Sequence, residues 1–526
     1  MTRPRAIAAL LVLVVGVSAG TLAGAGQAAR PDVLVSLRPE APTAASSILE
    51  RAGGKLVARE LDLWTLPAGS AAPALGALKA AGAVAFSEPE ATHTASVSSV
   101  SAVSADDPLV GQEWWRSAIG ADQLTPPGPG VPVSLVDSGV DLGHPEFAGR
   151  PNLIALNTQE PQPLGGVHGT AVASVVGAQA NGVGVVGVYP DAVIRSWDAA
   201  IGTGTELTTS QIVNGIIAVS SQGKSVINLS LGGPGPDEAI KAAVDLAVAR
   251  GSLVVAASGN DGEEGNTLTY PAAYPHVLTV AATQPDGSVA PWSSRSRFVD
   301  IAAPGAQIPV ATVDSLTGGT GWAPEDGTSF ATPIVSAAAA WLWTVRPALD
   351  AGQVAQILRQ SATDIGSPGV DPSSGHGLLN LPAALATPTP VRDPNEPNDD
   401  ANQVVPGRDG YHSTPALLRR SATTRVAGTV DRFEDPRDVF RVWVPKGRKL
   451  TASVVGDAAT TLTLARGTAQ SVGPVLASFD RLSRGVKTAT GASLGYRNTA
   501  AGRFALIIVT PKTSVTTQYL LRIWTR

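Results

Sequence analysis

Four residues far apart in the chain are of types that can do nucleophilic chemistry if the fold brings them together. VSLVDSGVDLGHPEF puts Asp137 at the end of an apolar run, and VHGTAVASVVG carries His168 at its start. AASGNDG holds Asn260 just past another apolar run, and DGTSFATPIVSAAAAWLW sets Ser329 at the head of an apolar helical pattern. Singly, each has an ordinary structural reading as a capping or packing histidine, a turn asparagine or an N-cap serine. Jointly they supply the parts of one reaction. A serine hydroxyl attacks a carbonyl only when a base in hydrogen-bond reach takes its proton, and a buried carboxylate must orient that base and stabilise its cation. Asp137, His168 and Ser329 fit those parts. The oxyanion that forms needs donors already aimed at it, which the Asn260 amide and the Ser329 backbone N–H can provide.

Such residues need a rigid frame. From Val131 the sequence alternates short, nearly continuous apolar runs, VPVSLVD, SVINLSLGG, SLVVAASGN and HVLTVAAT, with longer helical patterns such as PDEAIKAAVDLAVARG. Runs of this kind suit parallel strands covered on both faces, so the expected fold class is α/β with a mostly parallel sheet flanked by helices. Ligands of such sheets lie at the carboxyl ends of the strands, where Asp137 and Asn260 fall.

The flanks differ in kind. Upstream, DVLVSLRPEA, TAASSILERAGG, KLVARELDLWTLP, APALGALKAAG and AVAFSEPE read as β-α-β-β-α-β, a ferredoxin-like α+β unit. Downstream of the Pro- and Asp-rich TPTPVRDPNEPNDDA, the runs VFRVWVP, KLTASVVG, TLTLARG, FALIIVTP and YLLRIWT predict a β-sandwich. The resulting expectation is a signal peptide over 1–29, an N-terminal unit over 30–92, a connector with a processing site over 93–106, a catalytic unit over 107–386, a linker over 387–402 and a sandwich over 403–526.

MTRPRAIAALLVLVVGVSAGTLAGAGQAAR has two early arginines, an apolar core and small residues before its end, the pattern of a secretory signal. Its apolar run is shorter than the roughly 20 residues a membrane span needs, and no later segment is long enough either. A secreted, extracellular protein with no cysteine is held by packing alone, or by packing with bound ions. Formal charge is −5 overall, yet residues 391–526 carry 20 Lys+Arg against 11 Asp+Glu. Dispersed arginines of this kind read as solvated surface, with polyanion binding as the alternative.

Gly182 to Gly187, GVGVVG, matches G-x-G-x-x-G by letter. A dinucleotide site needs a strand before this motif and a helix after it, and here HGTAVASVVGAQA upstream is helical while VYPDAVIRSW downstream is strand-like. No helix N-terminus is then available for a phosphate, so no nucleotide or nucleic acid is expected.

The order Asp, His, Ser, with DSGVD, HGT and GTSFATP around the three residues, resembles the subtilisin-like serine protease family. The resemblance implies an endopeptidase that hydrolyses protein or peptide substrates through an acyl-enzyme. Asp137 would be the orienting acid, His168 the base, Ser329 the nucleophile and Asn260 the oxyanion donor. It implies that Ser230, Leu231 and Gly232 with Ala257, Ser258 and Gly259 line the substrate cleft, and that Thr269 lies near its specificity pocket. Residues 32–90 resemble the family's propeptide, an intramolecular inhibitor whose C-terminal end first fills the cleft. DPNEPNDDA with DVFRVWVPKGRKL resembles a bacterial pre-peptidase C-terminal domain. No cofactor is required for this chemistry, and a monomer is expected. A structural calcium is expected at the loop after the histidine helix, through Asn181, Val183 and Val185 with Glu146 where the family commonly has aspartate.

Two other classes give different expectations. An adhesin that keeps a protease fold would bind without turnover. A lipase or esterase would need G-x-S-x-G and the order Ser, acid, His, and GTSFA lacks the second glycine.

Overall fold

The computed structural model describes residues 30–526 except 40, 95–106, 160–166, 201–205, 314–318, 394, 406–415, 418–422, 432–434, 470, 473–477, 479, 490 and 513–516. The signal peptide expected over 1–29 and most of the connector expected over 93–106 lie outside the described residues.

At the centre is a seven-stranded sheet in the order Ile301–Pro304, Val277–Thr283, Leu253–Ala257, Val226–Leu229, Val133–Asp137, Ile194–Asp198, Leu153–Ala155. Every pairing within it is parallel. Val133–Asp137, Val226–Leu229 and Leu253–Ala257 are buried at every position, because helices cover both faces. Val167–Gly177 and Thr328–Val345 pack on one face, and Thr209–Ser221 and Glu238–Ala249 on the other. The chain runs outward from Val133–Asp137 to two strands on one side, then returns to Val226–Leu229 on the other. This reversal opens a crevice between the ends of the two central strands, the usual place for a ligand in such sheets.

The N-terminal unit has the expected element order. Its antiparallel sheet runs Lys55–Ala58, Leu63–Leu66, Val33–Leu37, Val84–Pro89, backed by Ala44–Arg51 and Ala68–Ala80. Strand alternation gives the sheet two apolar faces. Val35, Leu37, Trp64 and Leu66 face the unit's own helices, whereas Leu34, Leu61 and Leu63 join the core of Thr209–Ser221 and Glu238–Ala249.

Beyond residue 423, a five-stranded and a four-stranded antiparallel sheet share a core built from Val442, Leu450, Leu464, Ile507 and Leu521 among others, which is the predicted sandwich. Asn398, Asp399, Ala401 and Val404 are also buried, and Ala401 and Val404 pack on Val439, Leu506 and Ile508. Among the described residues no helix is long and apolar enough to cross a membrane.

Candidate active site

Asp137 ends the central strand and His168 lies in the first turn of Val167–Gly177. The helix start can reach the strand end because of two glycines. A Cβ at Gly169 would collide with the Gly139 carbonyl, and Gly139 has φ +82° with the Asp198 carboxylate where its own Cβ would be. Ser138 Oγ accepts the Gly169 N–H at 3.1 Å, and Thr170 Oγ1 accepts the Asp141 N–H at 2.8 Å. At the far end of the same helix, buried Arg150 donates to the carbonyls of Gly177, Pro190 and Ala192. Burial lowers its pKa to about 10, which leaves it cationic at the negative pole of the helix.

With both ends fixed, His168 Nδ1 lies 2.7 Å from Asp137 Oδ1, and both side chains are buried. A carboxylate only accepts, so Nδ1 carries the proton and Nε2 holds the free lone pair. Among the described residues Nε2 has no hydrogen-bond partner.

Ser329 is the second residue of Thr328–Val345. Pro333, four residues on, has no N–H to give the Ser329 carbonyl. The Ser230 hydroxyl fills that gap at 2.8 Å. Ser230 Oγ is itself held by Asn228 Nδ2 at 3.0 Å, and Asn228 Oδ1 accepts from Ser336 Oγ at 2.9 Å. The Ser329 hydroxyl points to the Ser230 carbonyl at 3.3 Å. The rings of His168 and Phe330, next to Ser329, have centroids 6.0 Å apart. Asn260 Oδ1 accepts from Thr328 N at 3.0 Å and Thr328 Oγ1 at 2.9 Å, which commits its oxygen and turns its amide N–H groups outward.

A cleft of about 260 Å³ opens at Ser329 and Asn260, with Leu231 and Gly232 to one side and Ala257 and Gly259 to the other. Ser230 also lines it, while Ser258 is buried behind the wall with its N–H on the Val280 carbonyl. Thr269 also lines the cleft, and side chains at Gly232 or Gly259 would strike the threonine. The N-terminal unit reaches the rim: Thr92–Thr94 pairs with Glu206–Thr208, and His93 lies against Gly233 of the cleft wall. Glu88 caps the helix Glu238–Ala249 through the N–H groups of Glu238 and Ala239, and Glu90 takes the N–H and hydroxyl of Ser210.

The loop after the histidine helix departs from the calcium expectation. Glu146 does reach it, but its Oε1 accepts the Val185 N–H at 2.8 Å and the Trp322 indole N–H at 2.6 Å. Asn181 Oδ1 accepts the Val183 N–H at 2.9 Å. N–H groups thus approach Glu146 Oε1 and Asn181 Oδ1, so these two oxygens do not fit a calcium ligand role as arranged. A Cβ at Gly184, φ +66°, would collide with both Glu146 and Trp322, so GVG is needed for this close approach. Glu113 fixes the next residue by accepting the Val186 N–H at 2.7 Å.

Sequence reasoning missed Asn228, Arg150, Trp322 and the Glu88 and Glu90 caps. SVINLSLGG carried one signal for the first, an amide inside an otherwise apolar buried strand.

Residues 128–377 match the model of the subtilase family. Subtilisin from Bacillus pumilus is 38% identical over 261 residues, 49% of this chain and 91% of that protein. Subtilisin E from Bacillus subtilis (strain 168) is also 38% identical over 261 residues, covering 66% of its length. The crystal structure of fervidolysin from Fervidobacterium pennivorans, a keratinolytic enzyme related to subtilisin, superposes with a TM-score of 0.61 at 20% identity, over 91% of this chain and 86% of that one, and shares its fold. The chain belongs to the subtilase family of serine endopeptidases.

Proposed function

We propose that this protease is secreted, is made as a self-processing zymogen, and cuts peptide bonds with Asp137, His168 and Ser329, assisted by Asn260. The observation that carries this reading is the 2.7 Å contact of His168 Nδ1 with Asp137 Oδ1, which leaves Nε2 without a partner. Rotation of the Ser329 hydroxyl from the Ser230 carbonyl to Nε2 lets the imidazole take its proton as Oγ attacks the substrate carbonyl. The imidazolium is stabilised by Asp137. The oxyanion is received by the Asn260 amide and the Ser329 N–H, both held in place before the substrate arrives. His168 then hands its proton to the departing amine. Water, deprotonated by the same base, releases the acyl group and restores Ser329.

The N-terminal unit, 30–92, acts as propeptide and the processing site lies within 93–106. Support comes from the apolar face it shares with the catalytic unit and from Thr94, in the described start of the connector, which lies in the strand paired with Glu206–Thr208 beside the cleft. The substrate backbone adds as a strand along the cleft walls, and Thr269 limits the depth available to its side chain. The purified chain should hydrolyse casein and lose its N-terminal unit. Ser329→Ala should abolish turnover and keep that unit attached. A Ser329→Ala chain that still processes itself in pure form overturns the reading.

A further inference from the structure

We propose that the outer face of the sandwich's five-stranded sheet binds a linear acidic polysaccharide, with two rows of cationic side chains taking its acidic groups and Trp524 taking one of its rings. The sheet runs Thr423–Val430, Thr517–Thr525, Lys449–Gly456, Gly491–Arg497, Val486–Thr488. Side chains alternate between its faces. Val426, Leu450, Leu494 and Leu521 belong to the sandwich core, so the residues between them along each strand face outward. The antiparallel register sets those outward residues in rows. Arg526, Lys449 and Arg497 form one row: Arg526 and Lys449 exchange backbone hydrogen bonds, and Lys449 lies opposite Arg497. Thr423, Trp524, Thr451 and Gly495 form the next, and Arg425, Arg522, Ser453 and Ser493 the third. All five cations are exposed, and none of the five strands contains Asp or Glu.

Arg425 directly opposite Arg522, and Lys449 between Arg526 and Arg497, are arrangements that a sheet by itself disfavours, because like charges facing each other across strands repel. An anionic chain laid across the rows removes that repulsion. Each arginine can grip a carboxylate or sulfate through two parallel N–H groups. The cationic rows are four residues apart along a strand, about 13 Å, with Trp524 midway between them. A sugar chain acidic on every second ring can thus rest a neutral ring on the half-buried indole and place an acid on each row. The hydroxyls of Thr423, Thr451, Ser453 and Ser493 around it can both donate to and accept from sugar hydroxyls. Lys449 reaches over Gly495, where an added Cβ would lie 3.2 Å from its Cε, and so brings its ammonium toward the tryptophan row. Nucleic acid fits this face less well. Single strands are held by successive stacking platforms, whereas Trp524 is the one aromatic residue among the outward positions of these strands.

The test titrates the full-length Ser329→Ala chain calorimetrically with hyaluronan oligosaccharides, which carry a carboxylate on every second ring, and with neutral dextran and single-stranded DNA for comparison. Expected is binding to hyaluronan and none to dextran, with affinity falling about tenfold between about 50 and about 200 mM sodium chloride. Arg425→Gln combined with Arg522→Gln should lower the affinity about tenfold and flatten its salt dependence. This variant should melt no lower than its parent, since a repulsion is removed, which separates lost binding from lost folding. Trp524→Leu should weaken binding several-fold and leave the salt dependence intact. Arg481→Gln combined with Arg484→Gln removes two charges from a strand of the other sheet and should bind as the parent does. No binding to hyaluronan at the lower salt overturns the proposal, and an equal loss in the Arg481 and Arg484 variant overturns it in favour of diffuse charge. Tighter binding of single-stranded DNA that Trp524→Leu abolishes overturns it in favour of nucleic acid. A dimer that the Arg425 and Arg522 variant dissociates overturns it in favour of a second copy of the chain.

Discussion

Ser230 Oγ donates to the carbonyl oxygen of Ser329 at 2.8 Å, the bond that Pro333 cannot make. The proline of GTSFATP thus frees a carbonyl one residue into the helix, and the strand end at Ser230 uses it to fix the residue that carries the nucleophile.

Ser230→Ala should therefore harm the reaction more than binding. It leaves the buried Ser329 carbonyl unpaired, at a cost of about 1–3 kcal/mol in stability. Loosening the start of the helix should lower kcat several-fold with little change in KM, because substrate contacts along the walls remain. Steady-state kinetics with a peptide substrate checks this, and an unchanged kcat would show that Ser329 is positioned by other contacts.

The helix cap made by Glu88 predicts a pH effect on how the N-terminal unit is held. Burial raises the pKa of Glu88 from 4.5 to about 7, against the two N–H bonds that lower it, and Asp237 and Glu238 add to the rise. The docked state thus favours the protonated carboxyl. Its contribution is fully present below about 4.5 and is lost as pH rises to about 7. Because Glu88 is only half-buried, the effect is screened to about tenfold. Hydrogen-exchange protection of the Glu238 and Ala239 amides in the Ser329→Ala chain should fall by that factor between pH 5 and pH 8. Glu88→Gln should make the profile level; a slope that persists in this variant assigns the effect to another group.

Trp322→Phe removes the indole N–H but keeps most of the ring. Glu146 then loses the indole donor to a buried oxygen, so stability should fall by about 1–3 kcal/mol. Adding a chelator to the protein with Trp322 intact should leave the hydrogen-exchange protection of the Val183 and Val185 amides unchanged. A chelator-induced drop there, reversed by calcium, would restore the metal reading of the loop.

The sheet, the helices beside it and the four catalytic candidates were legible because each sits in a local pattern: an apolar run that stops at Asp137 or before Asn260, and helical spacing that begins at His168 or Ser329. Asn228, Arg150 and Trp322 had no such pattern, since their partners lie up to 176 residues away and only the fold brings them together. DPNEPNDD read as a linker because proline and aspartate dominate its composition, while His276, the partner of Asp399, and Asp438, whose carboxylate lies near those of Asp393 and Glu396, belong to other segments. Thr423–Val430 and Gly491–Arg497 were missed as strands because their buried positions are small or widely spaced, which weakens the alternation.

The most direct test of the central claim is the rate at which a serine-directed phosphonate labels the protein, with the site read by mass spectrometry. A single adduct on Ser329 is predicted, formed orders of magnitude more slowly in His168→Ala and Asp137→Asn. An adduct on another residue, or labelling of His168→Ala at the unaltered rate, would contradict the account.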